Sequence, residues 1–355
     1  MYLKSIPQHR NLFKQIFVFI TEMINKIKES VENHTTFGNF AGRIHEYALL
    51  SKFFLNPLLI KSIHLQFVNY CNLNCEYCSF ANNPNKQKMK KELLTKLLEE
   101  ILFDRKKFNV KELNLWVAGE TLLHPDFFGM LELMKSYKQK SSRFPKVKLF
   151  TNVMLLTEKV SKKMIDSGVI DWIGFSVDGG SKENCEKIRR GSKFDIIKKN
   201  IANFQKYNKG KIITSVNCLV PLNQKLNSQW MSEEFQELLN MVDNYKLNYP
   251  MDVGIDISYP KDFKFYKWNK RVCKALIQGV AIVQNGDVLP CCSDFNNTCV
   301  IGNLYKESLS EICKGEKRRK MVFDFLKGKK SEIPLCRNCN RFSIPYKIFK
   351  KENEG

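Results

Sequence analysis

The sequence predicts an α/β protein: a parallel sheet or incomplete barrel of six strand-then-helix units, with a helical extension before it and a small hairpin module after it. Three observations carry this expectation. From residue 60 onward, short runs rich in β-branched and aromatic residues alternate with runs of helical periodicity. After residue 260 that rhythm stops, and Asn285 and Gly286 stand between two strand-like runs, the strongest short hairpin signal. A length of 355 residues suffices for one large domain or two ordinary ones, each with its own core.

In residues 1–59, Leu12, Phe13, Ile16, Phe17, Ile20, Met23, Ile24 and Ile27 recur at helical spacing, with Lys14, Lys26 and Lys28 between them. This predicts a helix packed on the body, and its basic face leaves peripheral membrane contact as a second reading. Strands are expected at 63–68, 113–117, 147–151, 172–177, 212–219 and 253–257. The intervening helices are expected at 90–104, 126–138, 157–167, 194–206 and 230–245. Such folds place their chemistry on the loops at the C-terminal ends of the strands. The hairpin comprises 279–284 and 287–289. The expected divisions are therefore a helical extension over 1–59, a barrel over 60–260 and a second module over 265–345.

Composition narrows the function. No apolar run approaches the roughly 18 residues of a membrane span, and no export signal is recognisable, which predicts a cytoplasmic protein. In a reducing compartment, 12 cysteines indicate metal or redox chemistry rather than a disulfide framework. The net charge of +22 is spread along the chain, and no nucleic-acid-binding signature focuses it, which disfavours a nucleic-acid partner.

The cysteines fall into two constellations. Directly after the first strand, Cys71, Cys75 and Cys78 form a C-x3-C-x2-C run. A closed tetrahedral zinc site requires a fourth ligand, which this loop lacks, whereas a 4Fe-4S cluster held by three thiolates keeps one iron open for chemistry. In the second module, Cys273, Gly286 and Cys291 follow a C-x12-G-x4-C pattern, and Cys336 and Cys339 close it as C-x2-C. Four such cysteines are a standard metal set, compatible with zinc or iron–sulfur on spacing alone. Cys291 and its neighbour Cys292 are both open on chemistry alone.

The first constellation resembles the hallmark of the radical S-adenosylmethionine (SAM) enzymes, and the second resembles their SPASM/twitch auxiliary-cluster extension, whose Gly-x4-Cys spacing implies Cys291. Together the resemblance covers residues 60 to 345, and residues 1–59 are outside it. It implies a partial (β/α)6 TIM-like barrel and two 4Fe-4S clusters, one binding SAM and one auxiliary. It also implies reductive cleavage of SAM to methionine and a 5'-deoxyadenosyl radical that takes hydrogen from substrate. Tyr77 stands at the family's aromatic position before the third cysteine. Ala118-Gly119-Glu120 resembles the Gly-Gly-Glu motif whose carboxylate holds the methionine amino group, with Ala in place of the first Gly. Thr151-Asn152 and Ser176-Val177-Asp178-Gly179 resemble segments suited to ribose hydroxyls, and either Arg189 or Arg190 is expected to pair with the SAM carboxylate.

With four auxiliary cysteines in pattern, one extra cluster is the natural count. The resemblance then implies a small polar, carbohydrate-like substrate and the oxidation of an alcohol. A cytosolic electron donor such as flavodoxin or ferredoxin would reduce the SAM-binding cluster. Cys218, at the end of the fifth strand, is the candidate hydrogen-atom donor to a substrate radical. Of Asp252 and Asp256, which flank the sixth, Asp256 is the candidate to bind substrate or take a proton. His124, before a proline, is expected to be structural. The alternatives are a radical SAM epimerase or peptide-modifying enzyme and, in another class, a zinc-containing nucleic-acid-binding protein.

Overall fold

The computed structural model describes residues 50, 52–53, 56, 58–78, 85–104, 108–251, 263–264, 273–341 and 343–350. The helix expected around residues 12–27, the strand expected at 253–257, and Asp252 and Asp256 lie outside the described residues.

Six parallel strands form the body of the sheet. β1 (Ser62–Leu65), β3 (Glu112–Leu115), β4 (Lys146–Thr151), β5 (Ile170–Ser176), β7 (Ile213–Leu219) and β8 (Asn244–Asn248) pair in that order, each parallel to the next. Two further short strands, β2 (Asn74–Cys75) and β6 (Arg189–Arg190), pair antiparallel to each other over one end of this sheet's loops. Helices α1 (Lys91–Phe103), α2 (Phe127–Lys140), α3 (Glu158–Ser167), α4 (Lys182–Ile188), α5 (Phe194–Asn208) and α6 (Glu233–Asn240) fill the crossovers. The sixth strand departs from expectation. The helix expected to run to 245 ends at Asn240, and 244–248 is the strand. Asp243 fixes this change: its Oδ2 accepts from the Thr214 N–H at 2.7 Å and the Thr214 hydroxyl at 2.8 Å, which docks the incoming chain on β7.

Strand alternation separates two faces. Ile63, Leu113, Leu115, Val147, Leu149, Ile173, Phe175, Val216 and Leu247 are all fully buried in one apolar core with the helices. The opposite, inner face carries Ser62 and His64 on β1, Phe150 on β4, Trp172 and Ser176 on β5, Asn217 on β7 and Asn248 on β8. Rings crowd this face: Trp116 meets His64 at 5.4 Å and Phe150 at 4.7 Å, and Phe150 meets Trp172 at 5.0 Å. Gly174 makes this possible, since a Cβ there would stand 2.2 Å from the Phe150 ring.

The second module extends the same sheet. After α7 (Lys274–Gln278), Asn285 and Gly286 do form the expected hairpin between β9 (Gly279–Ile282) and β10 (Asp287–Leu289), with Gly286 at φ 86°. β9 pairs parallel with β1, β11 (Gly302–Asn303) pairs with β10, and β12 (Tyr346–Lys350) pairs antiparallel with β8. One sheet of ten strands results, so the boundary expected near 265 is a change of connectivity within it. Helices α8 (Leu309–Lys314) and α9 (Glu316–Leu326) complete the module. Two side chains of α1 clamp it to the body. The Glu100 carboxylate accepts from the Leu309 and Ser310 N–H groups, each at 2.8 Å, at the start of α8, and the Lys96 ammonium donates to the carbonyls of Leu304 and Glu307.

Candidate active site

The loop after β1 carries Cys71, Cys75 and Cys78 as free thiols. They stand near enough for the charge of each to oppose that of the others. Burial, the larger cause, pushes the Cys75 thiol up to about 11. The surroundings nevertheless suit thiolates. The Leu73 N–H donates to the Cys71 sulfur at 3.4 Å and the Asn152 side-chain amide donates to it at 3.6 Å, the kind of hydrogen bond that stabilises and tunes cluster-bound sulfur. Among the described residues no three Cys, His, Asp or Glu side chains converge closely enough to hold a single ion. A Zn–S shell of about 2.3 Å would require that convergence, whereas thiolates on the corners of a multi-iron cube stand further apart.

Two networks hold this loop. In the first, β2 pairs with β6, and three side chains lock underneath. The Tyr77 hydroxyl donates to Asp178 Oδ2 at 2.5 Å, and the Arg189 guanidinium donates to the same oxygen at 2.7 Å and to Tyr77 Oη at 2.6 Å. Asp178 Oδ1 accepts from the Leu219 N–H at 2.7 Å. Asp178 is 1% exposed and Arg189 is 7% exposed, so this ion pair is interior. Burial pushes the Tyr77 phenol well above its ordinary value and keeps it a donor. Tyr77, Asp178 and Arg189, expected to touch a cofactor, also bond to one another, while the buried Arg189 Nε has no hydrogen-bond partner among the described residues. Arg190 is the exposed member of the arginine pair, and Ser176 lies partly exposed on the inner face.

In the second network, Gly119 at φ 78° brings the Ala118-Gly119-Glu120 turn against the start of the cysteine loop, where a Cβ would stand 2.5 Å from the Val68 carbonyl oxygen. The Glu120 N–H donates to the Tyr70 carbonyl at 2.9 Å. The Glu120 carboxylate, 3% exposed, accepts from the Leu122 N–H at 3.2 Å, the Thr151 hydroxyl at 2.9 Å and the Asn152 N–H at 2.8 Å. Burial raises its pKa against the opposing effect of these donors. A carboxylate offers about four lone-pair positions, so three bonds leave one for a cationic ligand. Asn152 links this network to the loop, its N–H donating to Glu120 and its side-chain amide donating to Asn72 Oδ1 at 2.8 Å. Val153, next in sequence and fully buried, holds φ 71°, a strained value for a β-branched residue, and its carbonyl is fixed by the Asn200 amide at 2.9 Å. Glu120→Ala should weaken SAM binding about ten- to a hundredfold, from roughly 1.5–3 kcal/mol for a charge-assisted hydrogen bond, with iron content unchanged. Equilibrium dialysis measures this, and unaltered affinity would remove Glu120 from the ligand's contacts.

Cys218 is corrected by the register of β7. It is fully buried beside Val216 in the helix-covered core, while Asn217 and Leu219 face inward, so its thiol does not reach the inner face. His124 is structural as expected: its ring bonds to the Met89 carbonyl at 2.9 Å and accepts from the Asp126 N–H at 3.1 Å.

In the second module, Cys273 stands at the N-cap position of α7, and burial pushes its thiol up against the opposing effect of the Leu276 and Ala275 N–H groups. Burial, with Cys273, Cys339 and Cys299 as neighbours, pushes the Cys336 thiol up to about 12. Cys291 stands in the loop after β10. Its sulfur accepts from the Ser293 N–H at 3.4 Å and meets Cys292, which receives the Arg341 guanidinium at 3.4 Å. Cys292 packs on an inner-face cluster of Val117, Ala281, Val283 and Leu289. The sequence singled out neither Cys299 nor Arg341, although Arg341 stands two residues past the last patterned cysteine.

Comparison with known proteins agrees with both constellations. Residues 65–228 match the radical SAM superfamily, and residues 273–340 match an iron–sulfur cluster-binding domain, SPASM. A stretch of 59 residues is 36% identical to the S-adenosyl-L-methionine-dependent 2-deoxy-scyllo-inosamine dehydrogenase of Niallia circulans, covering 17% of this chain and 24% of that protein. The match thus spans about a quarter of the relative's length. Among solved structures, BtrN in complex with AdoMet and 2-DOIA aligns over 79% of this chain and 93% of its own, at 19% identity and a TM-score of 0.51. Native anSMEcpe with bound AdoMet and a Cp18Cys peptide aligns over 79% and 89%, at 17% identity and a TM-score of 0.59. At such identities these likenesses establish the fold. The iron–sulfur domain match overturns the zinc alternative for the second module.

Proposed function

Because the chain belongs to the radical SAM superfamily and carries an iron–sulfur cluster-binding module, we propose that it oxidises an alcohol carbon of a small polar, carbohydrate-like substrate. SAM on the reduced first cluster supplies the 5'-deoxyadenosyl radical that takes hydrogen from that carbon. Cys71, Cys75 and Cys78 would hold this cluster, Glu120 the methionine ammonium, and the exposed Arg190 the carboxylate, while Asn152 steadies Cys71 through its amide. Tyr77, Asp178 and Arg189 keep the cysteine loop pressed on the sheet.

The observation that carries the oxidation reading is the second cysteine set. Oxidising a carbon radical requires somewhere for its electron to go, and four cysteines of the module suffice for one further redox group. The inner face supports a polar substrate. It presents Ser176, Asn217 and Asn248, and the Asn248 Oδ1 is buried with no hydrogen-bond partner among the described residues. The 36% identical stretch shared with a dehydrogenase is consistent with this reading.

Epimerisation is the second reading, because the thiol that does pack on the inner face, Cys292, could return a hydrogen atom. Turnover in D2O separates the two. Oxidation gives a ketone or aldehyde without solvent deuterium, and Cys218→Ala leaves turnover intact. An inverted carbon carrying deuterium, lost in Cys292→Ala, would put the epimerase in its place.

A further inference from the structure

Register lines up one polar row across the inner face. Ser176, the last residue of β5, pairs with Asn217 on β7, and Asn217 pairs with Lys246 on β8. Register partners on neighbouring strands share a face, so a hydroxyl, an amide and an ammonium stand side by side over roughly 10 Å. The row lies nearer the C-terminal ends of the strands than Gly174 and the Phe150 ring that covers it, on the side where the cysteine loop begins.

Lys246 sets the charge of this row. Lys148, on the same face at β4, is neutralised by the Glu112 carboxylate of β3 at 2.5 Å. Lys246 has no such neighbour. Half-buried, its ammonium stands over the Tyr346 ring at 4.5 Å and makes no ion pair or hydrogen bond with a described residue. Burial lowers its pKa, and the Arg341 guanidinium lowers it further, with no described carboxylate acting against them. Arg341 comes from the second module, where it donates to the Cys292 sulfur at 3.4 Å and the Ser293 hydroxyl at 3.3 Å. Two like charges from different modules are thus held close enough to oppose each other. Asn248, the next inward residue of β8, is 5% exposed, and its Oδ1 is buried without a hydrogen-bond partner among the described residues. An unneutralised ammonium beside an unanswered amide oxygen suits a ligand with an anionic end and hydroxyl hydrogens to donate.

We propose that Lys246 binds an oxyanion on the substrate, a carboxylate or a phosphate ester, while Asn217 and Asn248 take its hydroxyl groups. The substrate is then an acidic carbohydrate-like molecule anchored at the Lys246 end of the row. Its other end points toward Ser176, two residues before Asp178, whose carboxylate holds Tyr77 of the cysteine loop. This deepens the oxidation reading of the same site by naming the substrate's charge, and the two fail separately.

Anaerobic calorimetry on the SAM-loaded holoprotein tests the proposal with glucose 6-phosphate, glucuronate, glucose and glucosamine, which share one ring and differ in charge. At least one of the two anions should bind about tenfold or more tighter than glucose, as expected for one charge-assisted hydrogen bond, and glucosamine should bind more weakly than glucose. Whichever anion binds tighter tells a phosphate ester from a carboxylate. Lys246→Met should reduce the preference for the anion to about threefold or less, with SAM affinity and iron content unchanged, and Lys246→Arg should keep it. Glucose or glucosamine binding as tightly as both anions overturns the proposal, and so does a full anion preference in Lys246→Met. If that variant does not take up iron, the wild-type ranking of the probes decides. Binding is read without turnover, so a failure here leaves the oxidation reading standing, and that reading falls on its own test, the product formed in D2O.

Discussion

Replacing Cys71, Cys75 and Cys78 together by Ala will abolish 5'-deoxyadenosine formation from SAM under dithionite and lower reconstituted iron from about eight to about four atoms per chain. No side chain on the loop can replace the lost thiols. Its other polar residues, Asn72, Asn74 and Glu76, are exposed oxygen or amide ligands, and thiolate is what such clusters select. The remaining iron should be untouched, because the second cysteine set lies at the start of α7, in the loop after β10 and in the turns after α9, and shares no ligand with the first loop. Liquid chromatography of the cleavage products and iron analysis decide it. Persistent cleavage would mean that the open-iron site lies elsewhere.

The chemistry was more legible than the architecture around it. Spacing alone set Cys71, Cys75 and Cys78 after the first strand, because a strand followed by a metal-ligand pattern is a local signal, and the resemblance implied Glu120 after the second. The hairpin at Asn285 and Gly286 was legible for the same reason. The inward or outward direction of Cys218 was not. The run at 212–219 mixes Thr214, Ser215 and Asn217 with apolar residues in no clean alternation, and only register with β5 and β8 shows which alternation faces the helices.

Pairing across long sequence separations was hidden as well. That Asp178 and Arg189 also pair with each other and with Tyr77, where β2 meets β6, has no local signal in the sequence. The strand at 244–248 was not expected because, with Asn244, Lys246 and Asn248, it has little strand character of its own. It is a strand because it lies between β7 and β12.

The buried trio beneath the cysteine loop gives the second large effect. Asp178→Ala should destabilise the protein by about 3–5 kcal/mol, the usual result of removing one partner from an interior ion pair and stranding the other. Arg189 would keep only the Tyr77 oxygen, and the Leu219 N–H would lose its acceptor. Arg189→Leu should cost less, because Asp178 would still accept from Tyr77 and Leu219. The double variant Asp178→Ala with Arg189→Leu is the informative one. If the pair acts through charge, removing both should restore about 2 kcal/mol or more relative to Asp178→Ala alone, since no uncompensated charge remains inside. If the residues act only by filling space, the two losses should add. Urea unfolding of the metal-free chain measures all three. Iron retention by the first loop should follow the same order, because Arg189 also pairs through its backbone with Cys75, one of the loop's three thiol carriers. A double variant as unstable as the sum of the singles would mean that the trio fills space under the loop and that charge does not hold it there.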